Sequence, residues 1–376
     1  MKTINVNALA ALVRAHARQE LEEHRVGLKE VVVHQNGRCV YREFFGANDT
    51  PQKPVLFRAA SMTKPITTAA VMQLVDRGLL DLNDPVARFY PQMKQMQVAT
   101  VKDGRITALR PAQNEIRVAD LLCHTSGVGS EPVLSALQET TVRLPLDEAL
   151  PLIAAQPLAF EPRTAQSYSP TDAFDLAAGI VEAVAGLPFD EYLKRRLFEP
   201  LNMVDTTFAP SEEQWTRMAP MHERTEQGLS ATAALTEHCV FNDMIPARMA
   251  AGAGLATTAD DYCRFAEMLC RGGTAPDGAP VLTAASVAQM ASPHVPESIM
   301  PGSERWGLGM RVVVGSDYQH GLGVGCFGWS GAYGTHFWVD PQNRISVVMM
   351  KNSLYDGGAG NRSACTLERD VAACLR

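Results

Sequence analysis

Strand-forming runs lie at the two ends of this 376-residue chain and helix-forming ones fill its middle. That placement limits the possible folds more than any other feature. Val31 to Gln35 and Cys39 to Phe45 are apolar and β-branched, and the Asn36-Gly37 between them tolerates positive φ at both positions. This predicts a tight hairpin. Comparable runs return only at Trp306 to Val314, Thr335 to Val339 and Ile345 to Met350. From about residue 86 to about residue 290 the pattern is short helices and proline-bearing loops, clearest as helices at Asp172 to Ala185 and Thr258 to Arg271. An amphipathic helix opens the chain from Asn7 to Arg18, with Leu9, Leu12 and Val13 on one face, and a closing helix is expected from Ala359 onward.

These signals predict an α+β fold. One antiparallel sheet is drawn from residues 1–85 and 290–376 and flanked by the terminal helices, and residues 86–289 form an inserted all-helical lobe. The length suffices for two lobes, and a cleft between them is a natural ligand site. A net charge of -7 without a dense basic patch argues against nucleic acid as a partner. No apolar run reaches the ~18 residues that span a bilayer, so no membrane role is expected. The patch Ala8 to Val13 is cut by Arg14 and followed by no small-residue cleavage site, which predicts a cytoplasmic protein. The cysteines (39, 123, 239, 263, 270, 326, 365 and 374) contain no pair with metal-site or redox spacing. They are expected as mostly buried free thiols, with Cys263 and Cys270 on one helix face; no cofactor and no metal is implied.

The chemistry is concentrated in Phe57-Arg58-Ala59-Ala60-Ser61-Met62-Thr63-Lys64-Pro65. Ser61 and Lys64 are three apart, so a helix projects both side chains from one face and the amine reaches the hydroxyl. A serine hydroxyl needs such a neighbour to accept its proton before it becomes a useful nucleophile. Pro65 is tolerated only in a first helical turn, which places the helix start near Ser61. The nucleophile then sits at a helix N-terminus, where free amides favour developing negative charge. Gly78 ends this helix, expected to run to about Arg77.

Ser61-Met62-Thr63-Lys64, with Phe57-Arg58 before it and Gly78 after it, resembles the active-site region of the serine β-lactamase and penicillin-binding protein superfamily. In detail it is most similar to class C β-lactamases and family VIII carboxylesterases. Leu122-Cys123-His124-Thr125-Ser126-Gly127 resembles a further landmark of that group, and the resemblance runs from about residue 30 to about residue 352. It implies a β-lactamase/transpeptidase-like fold. It also implies that Tyr168, opening Tyr168-Ser169-Pro170, is a general base beside Ser61 and Lys64, its phenolate favoured by a cationic lysine. The third motif matches Trp329-Ser330-Gly331, which the resemblance makes a substrate-binding strand. By the same analogy the backbone N–H of Ala332, with that of Ser61, forms the oxyanion hole, and Gly331 permits close backbone approach.

Two positions depart from the lactamase pattern. Pro170 stands where asparagine usually contacts a substrate amide, and Trp329 where lysine usually binds a substrate carboxylate. A short uncharged ester needs neither group. The expected activity is therefore hydrolysis of small-molecule esters through an acyl-enzyme on Ser61. The competing readings are a β-lactamase or D-amino-acid peptidase, an acyltransferase, and a catalytically silent penicillin-recognition protein.

Other motifs carry less. Gly323-Val324-Gly325-Cys326-Phe327-Gly328 fits a dinucleotide fingerprint but precedes a strand instead of opening a helix. A Ser330 nucleophile with His124 or His336 is the rival hydrolase arrangement, and His124 is expected to order its loop. His222-Glu223 lacks the second histidine of a zinc protease. Asn48-Asp49-Thr50 and Asn361-Arg362-Ser363 are glycosylation patterns that matter only after secretion.

Overall fold

The fold is taken from a computed structural model, which describes every residue except 47–50, 138–143, 226–227, 233–248, 355–356 and 359. Cys239 and the tripeptide Asn48-Asp49-Thr50 lie outside those residues. Seven strands form the main sheet: β1 (Lys29–Gln35), β2 (Arg38–Phe45), β3 (Glu304–Trp306), β4 (Arg311–Val313), β5 (Phe327–Ser330), β6 (His336–Asp340) and β7 (Ile345–Lys351). Their order is β2-β1-β7-β6-β5-β4-β3, antiparallel throughout. The N-terminal hairpin is joined to the C-terminal strand from Lys29↔Lys351 to Gln35↔Ile345. Its turn has Asn36 at φ 54° and Gly37 at φ 73°, the left-handed pair the dipeptide predicts.

Alternation along the strands sorts the core into two layers. Val31, Val33, Trp338, Val347 and Met349 face the first helix, α1 (Val6–Glu22), and the last, α5 (Arg362–Ala373). Val32, Phe337, Val348 and Met350 face the opposite way, against α4 (Ala259–Cys270). This second layer continues into α2 (Thr63–Asp76), which is buried on every side, and α3 (Asp172–Ala185) packed against it. Side-chain caps fix three of these helix starts: Asn5 accepts from the Ala8 amide, Thr258 from the Asp261 amide and Asn361 from the Ala364 amide.

Three expectations need adjustment. The run Trp306 to Val314 is not one strand but the hairpin β3–β4, turned at Gly307 to Met310, where the Gly307 amide donates to the Met310 carbonyl. A Cβ on Gly307 would stand 2.2 Å from the Met290 carbonyl oxygen, so the chain approaches its neighbour too closely for a side chain. The central segment also holds two-stranded ribbons, Gln97–Lys102 with Arg105–Pro111 and Met221–Thr225 with Gly228–Thr232. Helix α2 begins at Thr63, not Ser61, which occupies a 3₁₀ turn from Ala60 to Met62. Of the described cysteines, Cys123, Cys263, Cys326, Cys365 and Cys374 are buried free thiols, Cys270 is half-buried and Cys39 is exposed. Among the described residues no helix is long and apolar enough to cross a membrane.

Candidate active site

The approach to Ser61 is fixed by a short backbone ladder. Phe57 and Arg58 pair with Thr257 and Ala256, and the Ala59 amide donates to the Leu255 carbonyl. Ala60 then takes φ 46°, a left-handed conformation that costs a residue bearing a Cβ roughly 1–2 kcal/mol. That sharp turn presents Ser61 half-buried at the head of α2, while Lys64 on the next turn is completely buried.

Three side chains meet at the hydroxyl. Tyr168 Oη donates to Ser61 Oγ over 2.7 Å, and Lys64 Nζ lies 3.4 Å from the same oxygen. The amine also donates to the carbonyls of Pro170, at 2.6 Å, and Gly252, at 2.9 Å. Its nitrogen lies 4.7 Å from the Tyr168 ring centroid and 5.1 Å from that of Phe174. Burial lowers the Lys64 pKa below its ordinary 10.5, and Tyr168 works against that shift. A desolvated lysine with lowered basicity can sit as a neutral amine and accept a proton.

Supports for this cluster were not singled out from the sequence. Thr67 Oγ1 donates to the Ala251 carbonyl at 2.6 Å, and the Asp175 carboxylate accepts from the Ala251 amide at 2.8 Å. Together they hold the segment that offers Gly252 to the lysine. The run Ala250-Ala251-Gly252-Ala253-Gly254 was the available signal, since glycine marks close backbone approach. His124 does order its loop. Its Nδ1 accepts from the Ser169 amide at 3.1 Å, its own carbonyl accepts from the Ser167 amide, and its ring packs 4.6 Å from Tyr168. Burial, with Lys64 adding repulsion, holds its pKa well below 6.5, so it stays neutral.

Trp329 closes an aromatic wall, 5.7 Å from Tyr168 and 4.4 Å from Trp306 between ring centroids. Trp306, which sequence reasoning treated only as a strand residue, also stacks on Tyr168 at 5.9 Å. Gly331 lies against the turn that carries Ser61: a Cβ there would be 2.4 Å from the Ala59 carbonyl oxygen, which already accepts from Thr335 Oγ1 at 3.0 Å. Ala332 follows in the same loop and is exposed. The Ser330 side chain is not brought to Ser61. It pairs with His336 on the sheet face that carries α5, because successive strand residues face opposite ways and Trp329 takes the inner side. Ser330 is thereby separated from His124 as well.

Comparison with known proteins identifies the family. The beta-lactamase family profile matches residues 12–365. An uncharacterised protein of Mycobacterium tuberculosis is 35% identical over 80% of this chain and 78% of its own. Esterase EstB of Burkholderia gladioli is 30% identical over 95% of this chain and 94% of its own. The solved structure of EstCE1, described as a hydrolase with promiscuous acyltransferase activity, superposes with a TM-score of 0.82 at 24% identity, covering 98% of this chain and 100% of that one. With a seven-stranded antiparallel sheet, a serine and lysine one turn apart at the head of a buried helix, and a match over nearly its whole length, the chain belongs to the beta-lactamase family.

Proposed function

We propose that this protein is a serine carboxylesterase that hydrolyses small, uncharged esters through an acyl-enzyme on Ser61. One observation carries the reading: Tyr168 Oη and Lys64 Nζ converge on Ser61 Oγ from 2.7 and 3.4 Å. A neutral amine has two hydrogens and one lone pair. The carbonyls of Pro170 and Gly252 take the hydrogens, which leaves the lone pair for Ser61. Ser61 Oγ attacks the ester carbonyl carbon while its proton enters the Lys64–Tyr168 pair. The pair gives a proton to the departing alkoxide as the C–O bond breaks. Water then adds to the acyl-enzyme, its proton returns through the pair to Ser61 Oγ, and the acid is released. The amides of Ser61 and Ala332 are assigned to the oxyanion, a contribution of ~3–4 kcal/mol per donor in comparable sites.

The substrate assignment rests on what the site lacks. Pro170 offers no side-chain amide, and Trp329 offers an apolar face in place of a carboxylate-binding cation. Esterase EstB, similar over nearly the whole chain, supports the same choice. The test is a p-nitrophenyl acetate assay with mass-spectrometric detection of acylated Ser61. A burst and an acylated Ser61 peptide are expected, and Ser61→Ala should retain no burst and less than about a thousandth of the rate. Full activity in Ser61→Ala overturns the reading. Faster turnover of nitrocefin than of the ester would favour a lactamase, and partitioning of the acyl group to an added alcohol would favour a transferase.

A further inference from the structure

A second hydrogen-bonded chain lies on the far side of the oxyanion strand. Ser330 Oγ and His336 Nδ1 are 2.8 Å apart, His336 Nε2 and Glu368 Oε1 are 3.1 Å apart, and Tyr318 Oη donates to Glu368 Oε2 at 3.0 Å. The order serine–histidine–glutamate imitates a catalytic triad. Ser330 is only 1% exposed, however, so no substrate reaches it. What the chain does is set by where it sits.

Ser330 and His336 are the final pair of the β5–β6 ladder. The loop between them carries Gly331 and Ala332. Its inner side is docked on Ala59, through Thr335 Oγ1 and the close approach of Gly331. The Ser330–His336 contact closes its base from the outer side, and Glu368 ties that base to α5. The loop is thus held on both faces of the sheet. Burial raises the Glu368 pKa, but the hydrogen bond and charge of His336 outweigh it and leave the carboxyl lowered. Glu368 therefore stays anionic and keeps His336 oriented.

We propose that Ser330, His336 and Glu368 are positioning residues for the reaction at Ser61: they clamp the base of the loop that presents the Ala332 amide, and so set the oxyanion geometry. This rests on the esterase reading above. Loosening the clamp displaces a donor that acts mainly in the transition state, so it lowers kcat with little change in KM.

The test measures kcat and KM for p-nitrophenyl acetate, melting temperature, and the site of fluorophosphonate labelling in His336→Ala, His336→Gln and Ser330→Ala. His336→Ala and Ser330→Ala should lose about tenfold in kcat while KM stays within about twofold, the scale of a sub-ångström misplacement. Glutamine reaches both partners with an amide, so His336→Gln should recover most of the loss. Wild-type kcat in a folded His336→Ala or Ser330→Ala, no recovery in His336→Gln, or labelling at Ser330 each overturns the proposal. If His336→Ala does not fold, Ser330→Ala decides alone, since it removes a single hydroxyl. Ser61→Ala separates the two readings. If it stays active, the esterase reading fails and the clamp with it; if it is inactive while the clamp variants match wild type, only the clamp fails.

Discussion

Gly252→Ala tests the proton-accepting arrangement while leaving every side chain of the Ser61–Lys64–Tyr168 cluster in the sequence. Gly252 has an ordinary backbone conformation, so alanine adds no torsional strain and the effect is one of space. A Cβ built there lies 2.6 Å from the Pro170 carbonyl oxygen, 3.0 Å from Thr171 Cα and 3.2 Å from Lys64 Nζ. Relaxed C···O contacts are ~3.3–3.6 Å, so the Gly252 and Pro170 segments must part by about 0.7–1.0 Å. Both carbonyls that hold the amine belong to those segments. The lone pair then swings away from Ser61 Oγ. A misplacement near 1 Å costs up to ~100-fold in rate, and overpacking costs about 1–3 kcal/mol in stability. The expected result is a fall of about 30- to 100-fold in kcat for p-nitrophenyl acetate, with KM nearly unchanged. Gly179→Ala is the control: its Cβ would crowd Tyr90 and Leu150, away from the amine, so it should lose stability and keep kcat. Wild-type kcat in a folded Gly252→Ala protein would refute the role given to the two carbonyls.

The pH dependence of stability checks the buried lysine. Because its folded pKa is lowered, the unfolded chain binds the proton more tightly, so its stability penalty is present below the folded pKa and is relieved as pH rises toward 10.5. Urea unfolding between neutral pH and pH ~10 should show wild type gaining stability relative to Lys64→Met, and parallel curves would refute the lowered value. Ala60→Gly checks the strained turn. Relief of the left-handed backbone, ~1–2 kcal/mol, is offset by the lost methyl against Met221 and Tyr333 and by a more flexible unfolded chain. Stability should stay within about 1 kcal/mol of wild type while kcat falls severalfold, and unchanged kcat would show that the turn does not position Ser61.

What was legible in the sequence was what is decided locally. Asn36-Gly37 specifies its own turn, and three residues of helical spacing bring Lys64 to Ser61. Features decided by contacts distant in sequence were not legible. Trp306 to Val314 reads as one strand until the Met290 carbonyl is seen beside Gly307. The ribbon strand Arg105–Pro111 is exposed along most of its length, so it has no apolar alternation to betray it. Ser330 was assigned to the substrate side, and only the register with β6 turns its hydroxyl toward His336. Likewise no local pattern says that Gly252 meets a lysine 188 positions earlier.

The departures at Pro170 and Trp329 leave the proton-accepting geometry intact, and the reason lies in which atoms do the work. Lys64 is held by two main-chain carbonyls, and the proposed oxyanion donors are two main-chain amides. Those groups exist at any residue whose backbone path is kept, so side-chain identity at 170 is free to change; proline, with its fixed φ, even restrains the carbonyl it contributes. Holding the amine with neutral dipoles has a second consequence. A carboxylate partner would bind the ammonium strongly and raise its pKa, whereas here burial dominates and the shift is downward. Under the proposed esterase reading, exchanges at 170 and 329 would alter recognition without rebuilding the backbone that holds Lys64. Such a separation lets one scaffold serve different substrates, as the proposed ester hydrolysis on a lactamase-type fold would require.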